Sequence, residues 1–234
     1  MNPHLLLSKV CPRLVAQSIE RTPLMLKLLG TATLAVALTG SALTAAPAHA
    51  TTADAQAGNT PLVEVLGADG VKFDKKWGDF DIVEAAAFAV LDANPDSPVG
   101  LLGNGKFKLT AFAPTDKAFR KLVQDVTGKK LDSEKKVFNK IVKKFGADTV
   151  EQVLLYHVIP GATIDSKAAA GSDGAVLPTA LEGATVTVKV TSGGIKLVDN
   201  DPDAADPKVT VPDINKGNKQ IAHGINKVLR PLDL

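Results

Sequence analysis

The chain has 234 residues, with 27 Lys and Arg against 25 Asp and Glu for a formal net charge of +2 at pH 7, and one cysteine. That balance excludes a strongly basic nucleic-acid binder. A lone cysteine excludes a disulfide framework and a thiolate metal site.

Residues 1–50 read as a leader that is removed. Residues 28–46 are apolar or small apart from scattered Thr and Ser, Lys27 supplies a positive charge before them, and Ala48-His49-Ala50 has the small-x-small form that a signal peptidase cuts. Met25 opens a more ordinary leader than Met1 does, so the true start is expected there. The apolar run is short for a stable membrane span, which needs about 20 strongly apolar residues. Cleavage takes Lys9, Arg13, Arg21 and Lys27 from the bases, Glu20 from the acids and Cys11, the only cysteine, so the mature chain is cysteine-free with a net charge near −1. Stability then has to come from an apolar core, for which residues 51–234 suffice. Small, polar residues 51–60 predict a flexible stub, and residues 61–234 predict a single domain.

The first half has helical periodicity. Asp81 is placed to cap a helix with Ile82, Val83, Ala86, Val90 and Leu91 on its apolar face, ending before Asn94-Pro95. Residues 107–112 alternate apolar with polar and predict a strand. Pro114 then fixes φ, and Thr115 or Asp116 is expected to cap a helix with Phe119 and Leu122 inward. Ser133 opens another, with Val137, Ile141, Val142 and Phe145 at helical spacing and its lysines outward. Asp148-Thr149 with Glu151-Gln152 predicts a capping box for a short helix carrying Val150, Val153 and Leu154. The lysine pairs at 129–130, 135–136 and 143–144 read as solvated helix faces.

After Tyr156 the period changes to two. Residues 184–190 alternate cleanly, Ser192-Gly193-Gly194 turns, and residues 195–198 return as a hairpin. Residues 208–211, 219–222 and 225–229 predict further short strands. Helices followed by antiparallel strands make the fold class α+β, with the N-terminal half mostly helical.

Three stretches in this order resemble the fasciclin domain. They are Leu109-Thr110-Ala111-Phe112-Ala113-Pro114-Thr115-Asp116-Lys117-Ala118-Phe119, then Leu155-Tyr156-His157-Val158-Ile159-Pro160-Gly161, then Ile221-Ala222-His223-Gly224-Ile225-Asn226-Lys227-Val228-Leu229-Arg230-Pro231. The resemblance covers roughly residues 60–234. It implies a wedge or sandwich of antiparallel strands with helices packed against it, and a role in adhesion and extracellular protein contact. It also implies that Asp213-Ile214 and the Tyr156-His157 stretch face a receptor, as in animal relatives; the residues by themselves allow Ile214 as a core anchor and Asp213 as a turn cap. Read physically, Phe112, Pro114, Thr115, Asp116, Phe119, His223 and Pro231 are mostly folding residues. Two departures from the family's pattern, Asn218-Lys219-Gln220 and Gly224, are expected to loosen or re-aim the last strand, since glycine contributes no packing, and to bear on partner specificity more than on the fold.

Other chemistry is thinly represented. His157 and His223 are the two histidines of the mature chain, and each is expected to knit strands with its two nitrogens. Gly171-Ser172-Asp173-Gly174 lacks the spacing of a nucleophile elbow. Asp199, Asp201 and Asp203 alternate as a calcium loop begins, but Ala204 and Thr210 stand where such a loop needs Gly and Glu, so an acidic turn held by Pro202 and Pro207 is expected. The function expected is a secreted or cell-surface monomer that binds an extracellular protein or polysaccharide without catalysis, cofactor or metal, through Tyr156, His157, Asp213 and Ile214. A carrier of a small apolar ligand, with a pocket of several hundred Å3 between sheet and helices, is the alternative. A hydrolase would require His157 or His223 to meet a nucleophile and a carboxylate.

Overall fold

The first described element is α1 (Leu62–Leu66), and the next is α2 (Asp81–Ala93), in a computed structural model that describes residues 57–70 and 72–232. The leader and residues 51–56 lie outside the described residues. A 3-10 turn at Pro98–Gly103 leads to β1 (Leu109–Pro114), then α3 (Asp116–Thr127), α4 (Glu134–Tyr156), β2 (Val158–Pro160) and α5 (Ser166–Ala170). Strands β3 (Val176–Pro178), β4 (Thr185–Thr191), β5 (Gly194–Val198), β6 (Val209–Ile214) and β7 (Gln220–Ile225) complete an α+β chain. Among the described residues no helix is long and apolar enough to cross a membrane.

The helical layer forms because α2, α3 and α4 each carry an apolar stripe. Ile82, Ala86 and Val90 meet Phe119, Leu122 and Val123, and both sets meet Val137, Ile141, Val150 and Leu154 in one cluster. Helix α4 is broken at Gly146, whose φ of 76° lies where only glycine is unstrained, so it consists of two helical segments that meet at a kink, as the sequence indicates. The lysine pairs of this region face solvent as expected. Glu151 closes no capping box: its carboxylate accepts from the Asn94 amide nitrogen at 3.2 Å and holds the ends of α2 and α4 together.

The caps are exchanged between helices. Asp81 lies inside α2 and does not cap it; the Asp116 carboxylate, from the start of α3, accepts the Ile82 amide at 2.9 Å. The first amides of α3, from Asp116 and Lys117, in turn donate to the carbonyls of Asp79 (3.0 Å) and Trp77 (2.9 Å). Thr115 sits at the cap position of α3 without a capping bond from its side chain. The expectation that Thr115 or Asp116 caps its own helix is therefore corrected: the loop before α2 supplies that cap, which frees Asp116 to serve the neighbouring helix.

The strands form two sheets, of order β2-β1-β7-β6 and β3-β4-β5, which meet through Phe112 and Ile225 of the first and Val186, Val188 and Leu197 of the second. All pairs are antiparallel except the central one, β1 with β7, which runs parallel from Leu109↔Gln220 to Pro114↔Ile225. Every residue of both strands is buried. The predicted hairpin is β4–β5, closed at Thr191↔Gly194. Of the last two predicted strands the first is β7, which runs on through Ala222 and Gly224 to Ile225; residues 226–229, expected as a further strand, are bend and coil instead. Gly224 does not loosen β7. A Cβ there would stand 2.9 Å from Val211 Cβ and 3.2 Å from the Phe80 ring, so the glycine permits a close approach on both sides. The strand predicted from Phe107 begins at Leu109, and Phe107 is 51% exposed.

Gln220, in the other departure from the family's pattern, is wholly buried and ties three elements together. Its Oε1 accepts the Leu62 amide of α1 at 2.8 Å, and its Nε2 donates to the carbonyls of Leu101 (2.8 Å) and Asn104 (2.9 Å) around the 3-10 turn. Residues 57–60, expected as the end of a free stub, are held to the same strand by Gly58 N–H to Gly217 O at 2.8 Å and Lys219 N–H to Gly58 O at 2.9 Å. Replacing Gln220 by Ala leaves the buried Leu62 amide unpaired, roughly 1–3 kcal/mol, and takes from the Leu101 and Asn104 carbonyls one of their two donors, about 1 kcal/mol each. Urea unfolding of Gln220→Ala is expected to show a loss of about 3 kcal/mol or more, and a loss under 1 kcal/mol would contradict the role assigned to this side chain.

Candidate functional site

The Tyr156-His157 stretch closes α4 against the second sheet. Tyr156 is fully buried and donates its hydroxyl to the Thr185 carbonyl of β4 at 2.9 Å; burial pushes the phenol up to about 12. His157, 4% exposed, donates from Nδ1 to the Val153 carbonyl at 2.6 Å and accepts the Leu229 amide at Nε2 at 2.9 Å. The Leu229 amide can only donate, so the ring is the neutral Nδ1–H tautomer. Burial lowers its pKa to about 4, against the favourable bond to Val153.

The Asp213-Ile214 stretch is equally engaged. Asp213 has φ of 62°, and its carboxylate accepts the Ser166 amide (2.7 Å), the Ser166 hydroxyl (2.6 Å) and the Lys216 ammonium (2.9 Å). Burial works to raise this carboxyl, but Ser166 and Lys216 outweigh it and hold the group at about 2. The Asp213 amide donates to His223 Nδ1 at 3.2 Å, and His223 Nε2–H donates to the Ile164 carbonyl at 2.8 Å. Ile214 packs on the cluster of Leu62, Leu109, Ala111, Val158 and Ala222. Asp213 and His223 thus meet, whereas His157 turns to Leu229. The four residues expected to form an exposed contact surface are bolts of the fold: two are buried, the Asp213 carboxylate is consumed by three donors, and Ile214 is half-buried.

Both imidazoles spend both nitrogens on backbone groups, so neither is placed as the general base of the hydrolase considered from the sequence. The carrier reading meets a similar obstacle. The apolar voids between the sheets, among α2–α4, and between α1, α2 and β1 measure about 20, 20 and 50 Å3. They hold one to a few waters, not a ligand that needs several hundred Å3. The acidic turn at 199–203 wraps Arg230: its guanidinium meets Asp201 and Asp125, each at 3.0 Å, and the Asp199 carboxylate accepts the Arg230 amide at 2.9 Å. These carboxylates are engaged by protein donors, in line with the turn expected there. Pro231 stands beside them and accepts from the Asn200 side chain at 3.3 Å.

A wider space opens on another face. A cleft of about 390 Å3 is lined by Trp77, Thr115, Lys117, Lys121, Val211 and Asn226, among others. One wall is the start of α3, one is the loop before α2, and the third is β6, an edge strand with Thr210, Val211 and Pro212 exposed. Burial lowers the pKa of Lys121, and the nearby ammonium groups of Lys117 and Lys227 lower it further, which marks a concentration of positive charge. The Arg120 guanidinium stacks on Trp77 at 4.2 Å from the ring centroid. Sequence reasoning missed this cleft. Its available signals were the chain's only tryptophan in a loop and a lysine inside the first motif, and neither reveals which face they share.

A family model described as the fasciclin domain matches residues 91–231. Among solved structures the chain is similar to a FAS1 domain pair from the insect cell adhesion molecule fasciclin I, at 20% identity and a TM-score of 0.46. That match covers 67% of this chain and 48% of the other, so the chain spans about half the length of that structure. A comparison with curated proteins finds no match.

The geometry of His157 fixes a pH dependence. A histidine whose pKa is depressed on folding stabilises the fold fully above its unfolded value of 6.5, and this contribution is lost as pH falls towards 4, because only the unfolded state takes up the proton in that window. At about 1.4 kcal/mol per pH unit the loss is about 3 kcal/mol. Unfolding free energies of the wild type and a folded His157→Asn variant, measured between pH 7 and 4, are expected to converge by roughly that amount; parallel curves would contradict the assignment.

Proposed function

The chain belongs to the fasciclin domain family, whose members generally serve in cell adhesion or protein contact, and from that premise we propose that it is an exported, non-catalytic, monomeric interaction module. Its contact surface is the cleft of Trp77, Lys117, Lys121 and Val211, and its partner is an acidic segment of an extracellular protein or polysaccharide. The observation that carries this reading is the combination in one open cleft of two lysines, an aromatic wall and an exposed edge strand.

The chemistry is that of an anion-selective recess. Lys121 is partly withdrawn from water, so a carboxylate or sulfate brought to it regains the solvation that the ammonium lost. Its Nζ already donates to the Asn226 carbonyl at 3.2 Å, which holds the side chain in place. The Trp77 ring supplies rigid apolar area at little entropic cost. Val211, 41% exposed, supplies an apolar contact, and Pro212 beside it discourages pairing of the edge with another strand. Asp213 and Ile214 anchor one wall of this surface, since both belong to β6.

The test is capture by the immobilised full chain from cell-surface extract, matrix protein and acidic polysaccharide, each run separately. A partner is expected that elutes with salt and binds about tenfold more weakly, or worse, to a folded Lys117→Glu/Lys121→Glu variant. Capture indifferent to both lysines would move the surface elsewhere, and no capture from any source would contradict the module itself.

A further inference from the structure

We infer that the carboxylates of Asp79, Asp116 and Glu134 form a site for a divalent cation of the calcium type, placed where α2, α3 and α4 begin. One oxygen from each lies within 4.8 Å of the other two. Ligand oxygens at calcium distance stand about 5 Å apart across the ion and closer when adjacent, so the three can share one ion.

The orientation of the oxygens is the stronger observation. Asp116 and Glu134 are wholly buried. Each gives one oxygen to a backbone amide, Asp116 Oδ1 to Ile82 and Glu134 Oε2 to Lys75, the latter at 2.9 Å. The other oxygen of each, Asp116 Oδ2 and Glu134 Oε1, accepts no hydrogen bond, and neither does either oxygen of Asp79. Four buried acceptors are thus turned inward without a protein donor. Unpaired buried acceptors are costly, and a cation is the partner that satisfies several at once.

Charge points the same way. Asp74, Asp79 and Asp81 form a second set sharing Asp79 with the first, so five carboxylates converge. Among the described residues the ion pairs bring one ammonium to this group, Lys76 on Asp74 at its rim. Each of the three helix starts adds about half a positive charge. Together with Lys76 they offset about half of the carboxylate charge, and the remainder is of the size one divalent ion carries. The donor set is all oxygen, which selects hard cations over zinc or copper. Asp79 is half-buried and leaves a path for the ion to enter.

The site lies outside the 199–203 turn, where sequence alternation first suggested calcium. Its members come from a loop and two helix starts separated by up to 55 positions, so spacing could not disclose it. It also stands apart from the proposed contact cleft, and either can fail without the other.

Trp77, the chain's only tryptophan, lies two residues from Asp79, which makes the site optically addressable. The full chain is stripped with chelator and titrated with Tb3+ under tryptophan excitation, then with Ca2+ as competitor; melting is followed in parallel with Ca2+ alone. Sensitised terbium emission displaced by Ca2+ is expected, with a calcium Kd of about 10⁻⁴–10⁻³ M. A Tm rise of about 5–10 °C is expected at roughly 100 Kd. Asp79→Asn and Glu134→Gln, either of which suffices if the other fails to fold, are expected to abolish both signals, while Asp203→Asn in the other acidic turn leaves them intact. No terbium emission and no Tm response in the folded wild type would overturn the inference and leave shared protons as the only partner of these oxygens. A response that survives both variants would overturn it too.

Discussion

The Asp116 carboxylate accepts the Ile82 amide at 2.9 Å, and this bond joins the starts of two helices that lie 34 positions apart. Around it the Trp77 and Asp79 carbonyls accept the first amides of α3, and Glu134 reaches back from α4 to accept the Lys75 amide. Three helices therefore begin from one knot of exchanged caps. The apolar stripes of α2, α3 and α4 select which face of each helix turns inward. The caps fix where each helix begins, because a helix start must satisfy its free amides with partners at fixed distances. Burial, and then Asp79 beside it, push the Asp116 carboxyl up to about 9.

The sheets are locked by polar side chains used in the same way. Tyr156 reaches β4, His157 reaches Leu229, His223 spans β6 and residue 164, Gln220 gathers α1 and the 3-10 turn, and Arg230 closes the acidic turn. Each joins elements distant in sequence, and each is buried. In a chain that lacks a disulfide in its described residues, these bonds supply the long-range specification that apolar packing alone gives loosely. Residues of the three family motifs do much of this work. The motifs accordingly face mostly inward, and to the cleft beside Trp77 and Val211 they supply Thr115 and Lys117 from the first and Asn226 from the third.

Much of the fold was legible in the sequence. The stripe of Val137, Ile141 and Val150, the alternation at 184–190 and the glycines of the hairpin act locally, and periodicity reports local structure. The parallel pairing of β1 with β7 was not legible, since its two strands are over a hundred residues apart and nothing in either names the other. Elements of three to five residues, α1, α5, β2 and β3, are too short to show a period. Asp116 was identified as a cap, but for the wrong helix, because a capping residue announces its chemistry and not its partner. Gly224 was read as a packing loss; the close approach of Phe80 and Val211 that requires it is visible only in three dimensions. At the candidate site the sequence named residues of the right chemistry, yet Tyr156 and His157 lie inside and Asp213 is tied down by Ser166 and Lys216, since a motif does not distinguish a residue that builds a surface from one that forms it.

The knot at Asp116 is tested most directly by unfolding Asp116→Asn and Asp116→Ala side by side in urea, in calcium-free buffer. Asn retains an acceptor for the Ile82 amide and matches the uncharged form that the raised Asp116 carboxyl takes near neutral pH, so its stability is predicted to stay within about 0.5 kcal/mol of the wild type or to exceed it, whereas Ala loses the cap and about 1–2 kcal/mol. Equal losses in the two variants, or an Ala variant as stable as the wild type, would contradict the claim that this one carboxylate sets the arrangement of the helices.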